Sequence, residues 1–491
     1  MSVFNVYSVY LLPFFDDRPV SGFLLLSGLA AAAAGCLYLY YEKRVAVKKQ
    51  PDLDIPCALE ADEAVDFIVR GEAVRKKIQI NGDTRDAFIL GPGEEVELTL
   101  LAKARNIKFA VGVRELSGQG RFPGTGVKVF EKKDGSERIL LYAGHMDPSG
   151  DHNARNWAEV DLELPAGGEE RERSIVVSAD PRDRSVKDGP ERSLCFAGPR
   201  ISGRSAPRKI ILIVLDAVRA DHVGCYGYAR GLTPNIDELA GAGTRFSNAI
   251  VQGEWTLPSF MSMLTGMYPS AHHVYHHTRY HSLDKKVRTL PGVLRKNGFM
   301  TRSYFTHKRL MSHFGFARGF DSHLFRQCDK QWNTATADDV TDRALDMLEF
   351  HKHDDLFLMA HYFDTHQPCD PPSPYSGMFD KLYGSKVRKN VRQVLLEGKG
   401  QGFDEKDLYN LIARYDAEIF KVDLKVGIIV DHLKRTGQYD DAMIIVTADH
   451  GMLLNDHGSL TRITLFDETV RVPFIVKYPG PMNIEKGARV E

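Results

Sequence analysis

The chain has 491 residues, of which 43% are hydrophobic and 26% charged, values typical of a globular protein with material for two hydrophobic cores. With 64 basic and 65 acidic side chains the formal net charge is −1, so the chain lacks a global basic footprint and nucleic acid is not expected as a partner. Its six cysteines include no Cys-x-x-Cys pair, which argues against a structural zinc site.

A stretch without charged residues, at about residues 22–41, predicts a transmembrane helix within an N-terminal segment of residues 1–51. At ~1.5 Å per residue such a helix spans a hydrocarbon core of about 30 Å. Three tyrosines near its end are typical of an interfacial aromatic belt. A cleaved signal peptide is the alternative, and residues 33–36 resemble a lipoprotein cleavage box. We favour a single-span anchor.

Between residues 52 and 203 apolar and polar residues alternate with the two-residue period of β-strands. The alternation is clearest at 95–100, 107–113 and 160–164, and Lys133-Asp134-Gly135 is typical of a hairpin turn. The pattern predicts a β-sandwich domain of the jelly-roll type. Spacing around Trp157 resembles carbohydrate-binding modules, and a spacer domain is the alternative. The mixed charges of 169–192 predict a solvated loop.

From residue 208 onwards predicted strands alternate with predicted helices, which indicates an α/β sheet covered on both faces. The strands are expected at 210–215, 355–363 and 442–447, and the helices at residues 233 onwards, 289–297 and 404–436.

Each of these three strands is followed by an aspartate, namely Asp216, Asp364 and Asp449. Ligands of open α/β sheets bind beyond the carboxyl ends of the strands, so the three carboxylates are expected to converge on one crevice. His366 and His450 lie close by in sequence. Carboxylates, imidazole and a hydroxyl together suit a divalent cation.

The hydroxyl is expected from Thr256, at the start of a helix predicted from the apolar spacing of the residues that follow. Thr256 is the expected N-cap, and Pro258 fits the first turn. Backbone N–H groups and the helix dipole favour an anion there, which suits a nucleophile that accepts a phosphoryl or sulfuryl group. An ordinary capping threonine is the structural alternative.

These motifs, in this order over residues 208–478, resemble the sulfatases of the alkaline-phosphatase superfamily. The shared words are residues 213–222, 224–227, 233–237, 255–259, 264–266, 319–321, 361–366, 447–451 and 472–476. The resemblance implies an alkaline-phosphatase-like, mostly parallel sheet with helices on both faces in a catalytic domain of residues 208–491. It implies one divalent cation, Ca, Mn or Zn, held by Asp216, Thr256, Asp449 and His450. It also places Thr256 in the nucleophile position, His366 on the leaving-group side, and Arg462 where sulfatases often have a lysine.

Four positions depart from the family pattern. Sulfatases that form formylglycine have the motif Cys/Ser-x-Pro-x-Arg. This chain has Thr256 at the first position of the motif and Phe260 at the arginine position, so formylglycine is not expected. Threonine nucleophiles occur in the superfamily's phosphodiesterases and phosphoethanolamine or phosphoglycerol transferases. Ala217 replaces a frequent second Asp, and Arg462 is a poor proton donor. Family chains normally continue into a smaller C-terminal sheet, so we expect this catalytic domain to be C-terminally incomplete.

Two functional hypotheses follow. The first is a membrane-anchored, metal-dependent hydrolase or transferase that cleaves phosphate or sulfate esters of lipids or glycans, with phosphodiester-type substrates favoured. The second is a non-catalytic surface protein with a glycan-binding β-sandwich and a decayed sulfatase-like domain. The histidines at 272–281 are expected to form a polar loop, and Cys57 is a candidate disulfide partner of Cys195 in an extracytoplasmic domain.

Two signals conflict on which side of the membrane the catalytic domain lies. Arg18 precedes the predicted span and four basic residues at 43–49 follow it, so the positive-inside rule favours a cytoplasmic catalytic domain. Superfamily members with one N-terminal anchor usually act outside the cytoplasm. We expect an extracytoplasmic catalytic domain, because long domains escape the charge rule.

Overall fold

The computed structural model of the chain describes residues 67–70, 74–80, 83–91, 94–100, 106–115, 125–132, 138–146, 157–164, 173–179, 192–202, 207–275, 282–325, 336–380, 405–460, 464–482 and 484–491. The predicted anchor at residues 22–41, Cys57 with its proposed pairing, and Arg462 lie outside these ranges. None of the helices among the described residues has the length and hydrophobicity needed to cross a membrane.

The described residues form twenty strands and seven α-helices. The strands are β1 (Phe67–Arg70), β2 (Val74–Ile80), β3 (Asp83–Leu90), β4 (Glu95–Leu100), β5 (Asn106–Glu115), β6 (Thr125–Lys132), β7 (Arg138–Met146), β8 (Ala158–Glu163), β9 (Arg173–Ala179), β10 (Arg192–Ser202), β11 (Lys209–Leu215), β12 (Thr244–Phe246), β13 (Ala249–Ile250), β14 (Met300–Phe305), β15 (Ser322–Phe325), β16 (Leu356–Tyr362), β17 (Ala442–Ala448), β18 (Arg471–Val472), β19 (Phe474–Lys477) and β20 (Ala488–Val490). The helices are α1 (Pro234–Ala242), α2 (Thr256–Thr265), α3 (Pro269–His272), α4 (Leu290–Lys296), α5 (Ala337–Phe350), α6 (Glu405–Arg435) and α7 (Asp467–Val470).

The N-terminal region is built from two β-sheets that share a hydrophobic core. One sheet has the order β1-β4-β9-β6-β7, and the other contains β3, β10, β5 and β8 as neighbours. Alternate side chains from both sheets, among them Val96, Phe109, Val127, Val177 and Phe196, pack into one buried cluster. The two-residue alternation of the sequence arises because every second side chain faces this core, and the region fits a β-sandwich.

Strand β9 corrects the prediction of a solvated loop at 169–192. It is the middle strand of the first sheet, paired with β4 and β6, and its residues Ile175, Val176 and Val177 are buried. The apolar run is short and is preceded by a dense group of charged residues, which is why the sequence favoured a loop. Pairing on both sides stabilises a strand that its sequence neighbourhood does not indicate.

The α/β region is organised around β11, which lies between β16 and β17 and is parallel to both. Every residue of these three strands is buried, so both faces of the sheet are covered, as expected for strands in a parallel α/β sheet. Strand β14 adds in parallel beside β16, whereas β19 is antiparallel to β17. The predicted α/β class with a mostly parallel centre is confirmed, within a sheet that is mixed overall.

The two regions share one sheet, because β15 pairs with β3. Ion pairs with buried basic side chains lie along the same junction. The Nζ atom of Lys108 on β5 donates to Asp354 Oδ2 at 2.8 Å and to the Phe350 carbonyl. Arg85 on β3 contacts Glu159 at 2.6 Å. The junction is therefore both hydrogen-bonded through the backbone and filled with paired charges.

Candidate metal centre and active site

The site forms at the carboxyl ends of β11 and β17. The two strands are parallel and in register, with Leu215 opposite Ala448, so the residues that follow each strand emerge side by side. These are Asp216 and Asp449, both fully buried. Ala217 has a φ of 58°, and its backbone N–H donates to Asp449 Oδ1 at 3.1 Å. This hydrogen bond links the ends of β11 and β17, with Ala217 held in the left-handed region of backbone conformation.

Asp216, Asp449 and His450 each offer one ligand atom, and these atoms lie within 4.8 Å of one another. Asp216 Oδ1 and Asp449 Oδ2 are buried and have no hydrogen-bond partner in the described part of the chain. Buried carboxylate oxygens without partners are costly, and a cation relieves that cost. Two carboxylates and an imidazole are also a donor set that suits Mn²⁺, Zn²⁺ or Ca²⁺. The residues present therefore fit a divalent cation.

The ring of His450 is held in the tautomer that a metal ligand needs. Its Nδ1 lies 2.7 Å from the carbonyl oxygen of Gly451, which can only accept, so Nδ1 donates. In the neutral ring the lone pair is then on Nε2, which lies 3.6 Å from Asp216 Oδ1 and 3.5 Å from Asp449 Oδ2. Fixing a ligating imidazole through its other nitrogen is the usual arrangement at protein metal sites.

The two carboxyl groups have pKa values displaced in opposite directions. Burial alone would raise the pKa of Asp216, but His366, His361 and His450 lower it below its ordinary value. Burial, together with the negative charge of Asp216, raises the pKa of Asp449 to about 6. Two buried carboxylates this close repel each other, and positive charge between them offsets that repulsion.

Thr256 lies beside this cluster, with its Oγ1 3.4 Å from His450 Nε2. The structure corrects one detail: Trp255 is the N-cap of α2, and Thr256 is the first residue of the helix. The hydroxyl still sits in the first turn, where N–H groups lack helical partners. Ser259 Oγ donates to the Asp449 carbonyl at 2.5 Å and fixes the helix against the end of β17.

Phe260, which stands at the arginine of the family motif, is a core residue. Its side chain is fully buried and packs edge-on against Phe305 at 5.6 Å and against His361 at 4.9 Å between ring centroids. The position therefore contributes packing and has no polar group to present to a substrate.

His366 lies near the cluster and is buried, with its ring centroid 6.3 Å from that of His450. The ring stacks on Phe363 at 4.4 Å, and its Nδ1 donates to the Gln367 carbonyl at 2.6 Å. That bond places the remaining proton-exchanging position of the neutral ring at Nε2.

Asp364 does not join the cluster, contrary to the expected convergence of three carboxylates. Its Oδ1 accepts from the Ala337 N–H at the start of α5 and pairs with Lys421 Nζ of α6 at 2.7 Å. The side chain thus faces the helical layer, where it caps one helix and binds another.

Other candidate histidines have structural contacts. His272 is buried and bonds Ser262 Oγ at 3.1 Å, and burial lowers the pKa of His272 to about 4. His457 stacks on Phe466 at 3.9 Å and pairs with Glu468 at 3.4 Å. His361 is the residue that the sequence underrated, since its Nε2 lies 3.0 Å from Asp216 Oδ2. Its position in a nearly continuous apolar run, typical of a strand buried on both faces, is the signal that pointed to the interior.

Trp157, the residue behind the carbohydrate-binding resemblance, is buried at 7% exposure. Its Nε1 donates to the Asp83 carbonyl at 3.1 Å, and the Arg85 guanidinium covers the ring. An indole enclosed in this way packs the junction and presents no open face to a sugar.

Comparison with known proteins assigns the same region to one family. Residues 208–482 match the family model described as Sulfatase. The multifunctional alkaline phosphatase superfamily protein PehA of Trinickia caryophylli is 25% identical over 355 residues, which cover 56% of this chain and 68% of PehA. Iduronate 2-sulfatase of Mus musculus is 24% identical over 328 residues, covering 55% of this chain and 59% of that protein. The chain thus spans about three fifths of the length of the latter.

One solved structure with similarity to the chain is the phosphonate monoester hydrolase of Agrobacterium radiobacter. Its TM-score is 0.49 at 22% identity, and the match covers 58% of this chain and 70% of that one.

Proposed function

The chain belongs to the sulfatase family, and from that premise we propose that it is a divalent-metal-dependent enzyme that cleaves phosphate or sulfate esters through Thr256. The observation that carries the proposal is the placement of the Thr256 hydroxyl, 3.4 Å from His450 Nε2 in the first turn of α2. A buried, oxygen-rich cation site beside a hydroxyl at a helix N-terminus is suited to nucleophilic attack on an anionic ester.

Asp216, Asp449, His450 and Thr256 would hold the cation. When bound, it would supply positive charge that favours the ionised hydroxyl and the anionic ester group. The first-turn N–H groups of α2 add further positive potential at the position of the ester oxygens. Thr256 Oγ1, once its proton has passed to solvent, forms a bond to phosphorus or sulfur as the bond to the departing ester oxygen breaks.

His366 is proposed to donate a proton from Nε2 to the departing oxygen, because Nδ1 is engaged by the Gln367 carbonyl. Transfer of the group from threonine to water completes hydrolysis, and transfer to an alcohol completes a transferase reaction. Arg462, a second residue proposed at the site, would stabilise ester charge as a permanent cation.

Phosphodiesters and related phosphorus esters are the favoured substrates. A threonine hydroxyl replaces the aldehyde-forming residue of the family motif, and the buried Phe260 stands where that motif has an arginine. One relative is a multifunctional alkaline phosphatase superfamily protein and another an iduronate 2-sulfatase, so both ester classes belong in the test.

The full-length protein should be assayed with p-nitrophenyl phosphodiester, phosphonate, phosphomonoester and sulfate substrates in the presence of Mn²⁺, Zn²⁺ or Ca²⁺. Thr256→Ala is expected to lose at least about 1,000-fold in kcat/KM, as with loss of other nucleophiles. Thr256→Ser, which keeps a hydroxyl, should retain measurable turnover. Thr265→Ala, at the far end of the same helix, is the matched control. Equal turnover by Thr256→Ala and the parent would refute the assignment.

We also propose that residues 22–41 anchor the protein and that its catalytic domain is extracytoplasmic. The support is the uncharged length of this segment. Protease added to intact cells should digest the region after residue 49. Protection until the cells are lysed would place the domain on the other side.

A further inference from the structure

His361 is a fully buried histidine in the middle of the site, on the strand next to β11. Its Nε2 lies 3.0 Å from Asp216 Oδ2. A carboxylate oxygen accepts, so His361 Nε2 is the donor of this hydrogen bond and carries its proton. A nitrogen that carries this proton has no lone pair for a cation, which separates His361 from the ligands.

The other side of the ring is also fixed. On that side the Thr306 hydroxyl lies 3.4 Å from Nδ1 and 3.3 Å from the His361 carbonyl oxygen, to which it donates. Phe260 and Phe305 pack edge-on against the imidazole, with centroid distances of 4.9 and 6.1 Å. The ring therefore has one orientation available, set by the packing of Phe260 and Phe305 and by the hydrogen bond from Nε2 to Asp216.

The hydrogen bond to His361 decides which oxygen of Asp216 faces the cluster. Oδ2 is engaged by His361, whereas Oδ1 has no hydrogen-bond partner in the described ranges and lies 3.6 Å from His450 Nε2. Rotation of the carboxylate would break a buried, charge-assisted hydrogen bond. The neighbouring Ala217 has only a methyl group, so the end of β11 offers its ligand atom through Asp216.

We propose that His361 is a positioning residue that orients Asp216, so that Oδ1 is presented to the cation while Oδ2 is held by the protein. The inference rests on the proposed cation site. It predicts that His361 controls cation affinity without contacting the ester. Partners that orient ligands in this way are typically worth 10- to 100-fold in metal affinity.

The test is calorimetric titration of the metal-stripped, full-length protein with Mn²⁺ and Zn²⁺. His361→Leu keeps the volume and removes the donor, so its Kd should rise about 10- to 100-fold. His361→Gln places an amide donor near the former Nε2 and should recover most of the affinity. Met359→Leu, on the same strand and also buried, is the packing control and should match the parent. Circular dichroism and Tm establish that each variant is folded.

Activity provides the second readout. Turnover of His361→Leu should approach the parent value when the cation concentration exceeds the raised Kd, because the variant retains Thr256 and His366. If His361→Leu does not fold, His361→Asn, whose shorter amide does not reach Asp216, is measured in its place with the same expected result. Parent-like affinity in the donor-deficient variant would overturn the role of His361. No binding by the parent would instead overturn the proposed cation site.

Discussion

The sharpest test of the buried carboxylate pair is the pH dependence of stability in the metal-stripped protein. Asp449 has its pKa raised from 3.8 to about 6 by burial and by the charge of Asp216. A group whose folded-state pKa is raised stabilises the fold fully below its unfolded pKa. It loses that stability as the pH rises through the folded pKa. The metal-free protein should therefore lose this contribution between about pH 4 and pH 7.

The magnitude follows from the shift. A change from 3.8 to about 6 is roughly two pKa units, or about 3 kcal/mol in total at 1.36 kcal/mol per unit. About 2 kcal/mol of it falls between pH 4.5 and 7.5 by the linkage relation. Asp216 does not contribute to this window, because its folded pKa lies below the ordinary value and its stabilisation is lost only at lower pH.

The assay is urea unfolding of the metal-stripped parent and of Asp449→Asn at pH 4.5 and 7.5. Asparagine keeps an oxygen for the N–H groups of Ala217 and His450 and removes the titration. Buried histidines such as His351, whose pKa is lowered to about 4 by burial, give an opposite slope in both proteins. The difference in pH dependence of the unfolding free energy between the two proteins gives the contribution of Asp449 titration. Identical pH slopes would refute the reasoning, and added Mn²⁺ should stabilise the parent most at pH 7.5.

Three further substitutions test the packing and the junction. Lys108→Met leaves Asp354 without its buried cation and should lower the free energy of unfolding by about 3 kcal/mol in urea, whereas Lys76→Met on the surface should change it little. Thr336→Ala removes the capping-box hydroxyl of α5 and should cost about 1 kcal/mol by the same measurement. Gly451→Ala places a Cβ 2.1 Å from the Glu468 carbonyl beside His450 and should weaken Mn²⁺ binding about 10-fold in calorimetry. Gly241→Ala, which meets no atom within 4 Å, is its control and should bind as the parent does.

The sequence was most informative where one strand end carries one chemical group. Asp216 and Asp449 follow strands that are buried throughout, and parallel pairing of those strands brings the two residues together. Asp364 follows an equally buried strand but turns to Lys421. The direction of a side chain after a strand depends on the loop that follows, and residue type does not encode that direction.

The remaining differences have similar causes. The start of α2 moved by one residue, because Trp255 in an extended conformation takes the cap position. His361 was seen as one of several available histidines, since only the pairing of β16 with β11 shows that it faces Asp216. Strand β9 was missed because its stability comes from neighbours on both sides, which lie about eighty and fifty residues earlier in the chain.

The pairing of β15 with β3 also protects the catalytic region from association with itself. His323 lies opposite Thr84 and Leu324 opposite Asp83, so strand β3 occupies hydrogen-bonding groups that would otherwise form a sheet edge. Exposed edges recruit strands from other molecules. Strand β3 of the sandwich thus covers the edge of β15. The Ser322 hydroxyl adds a further contact there by donating to the Asp83 carboxylate. A fragment that begins at residue 207 would keep Thr256 and the proposed metal ligands. It would also expose β15 as a sheet edge to which strands of other molecules can pair.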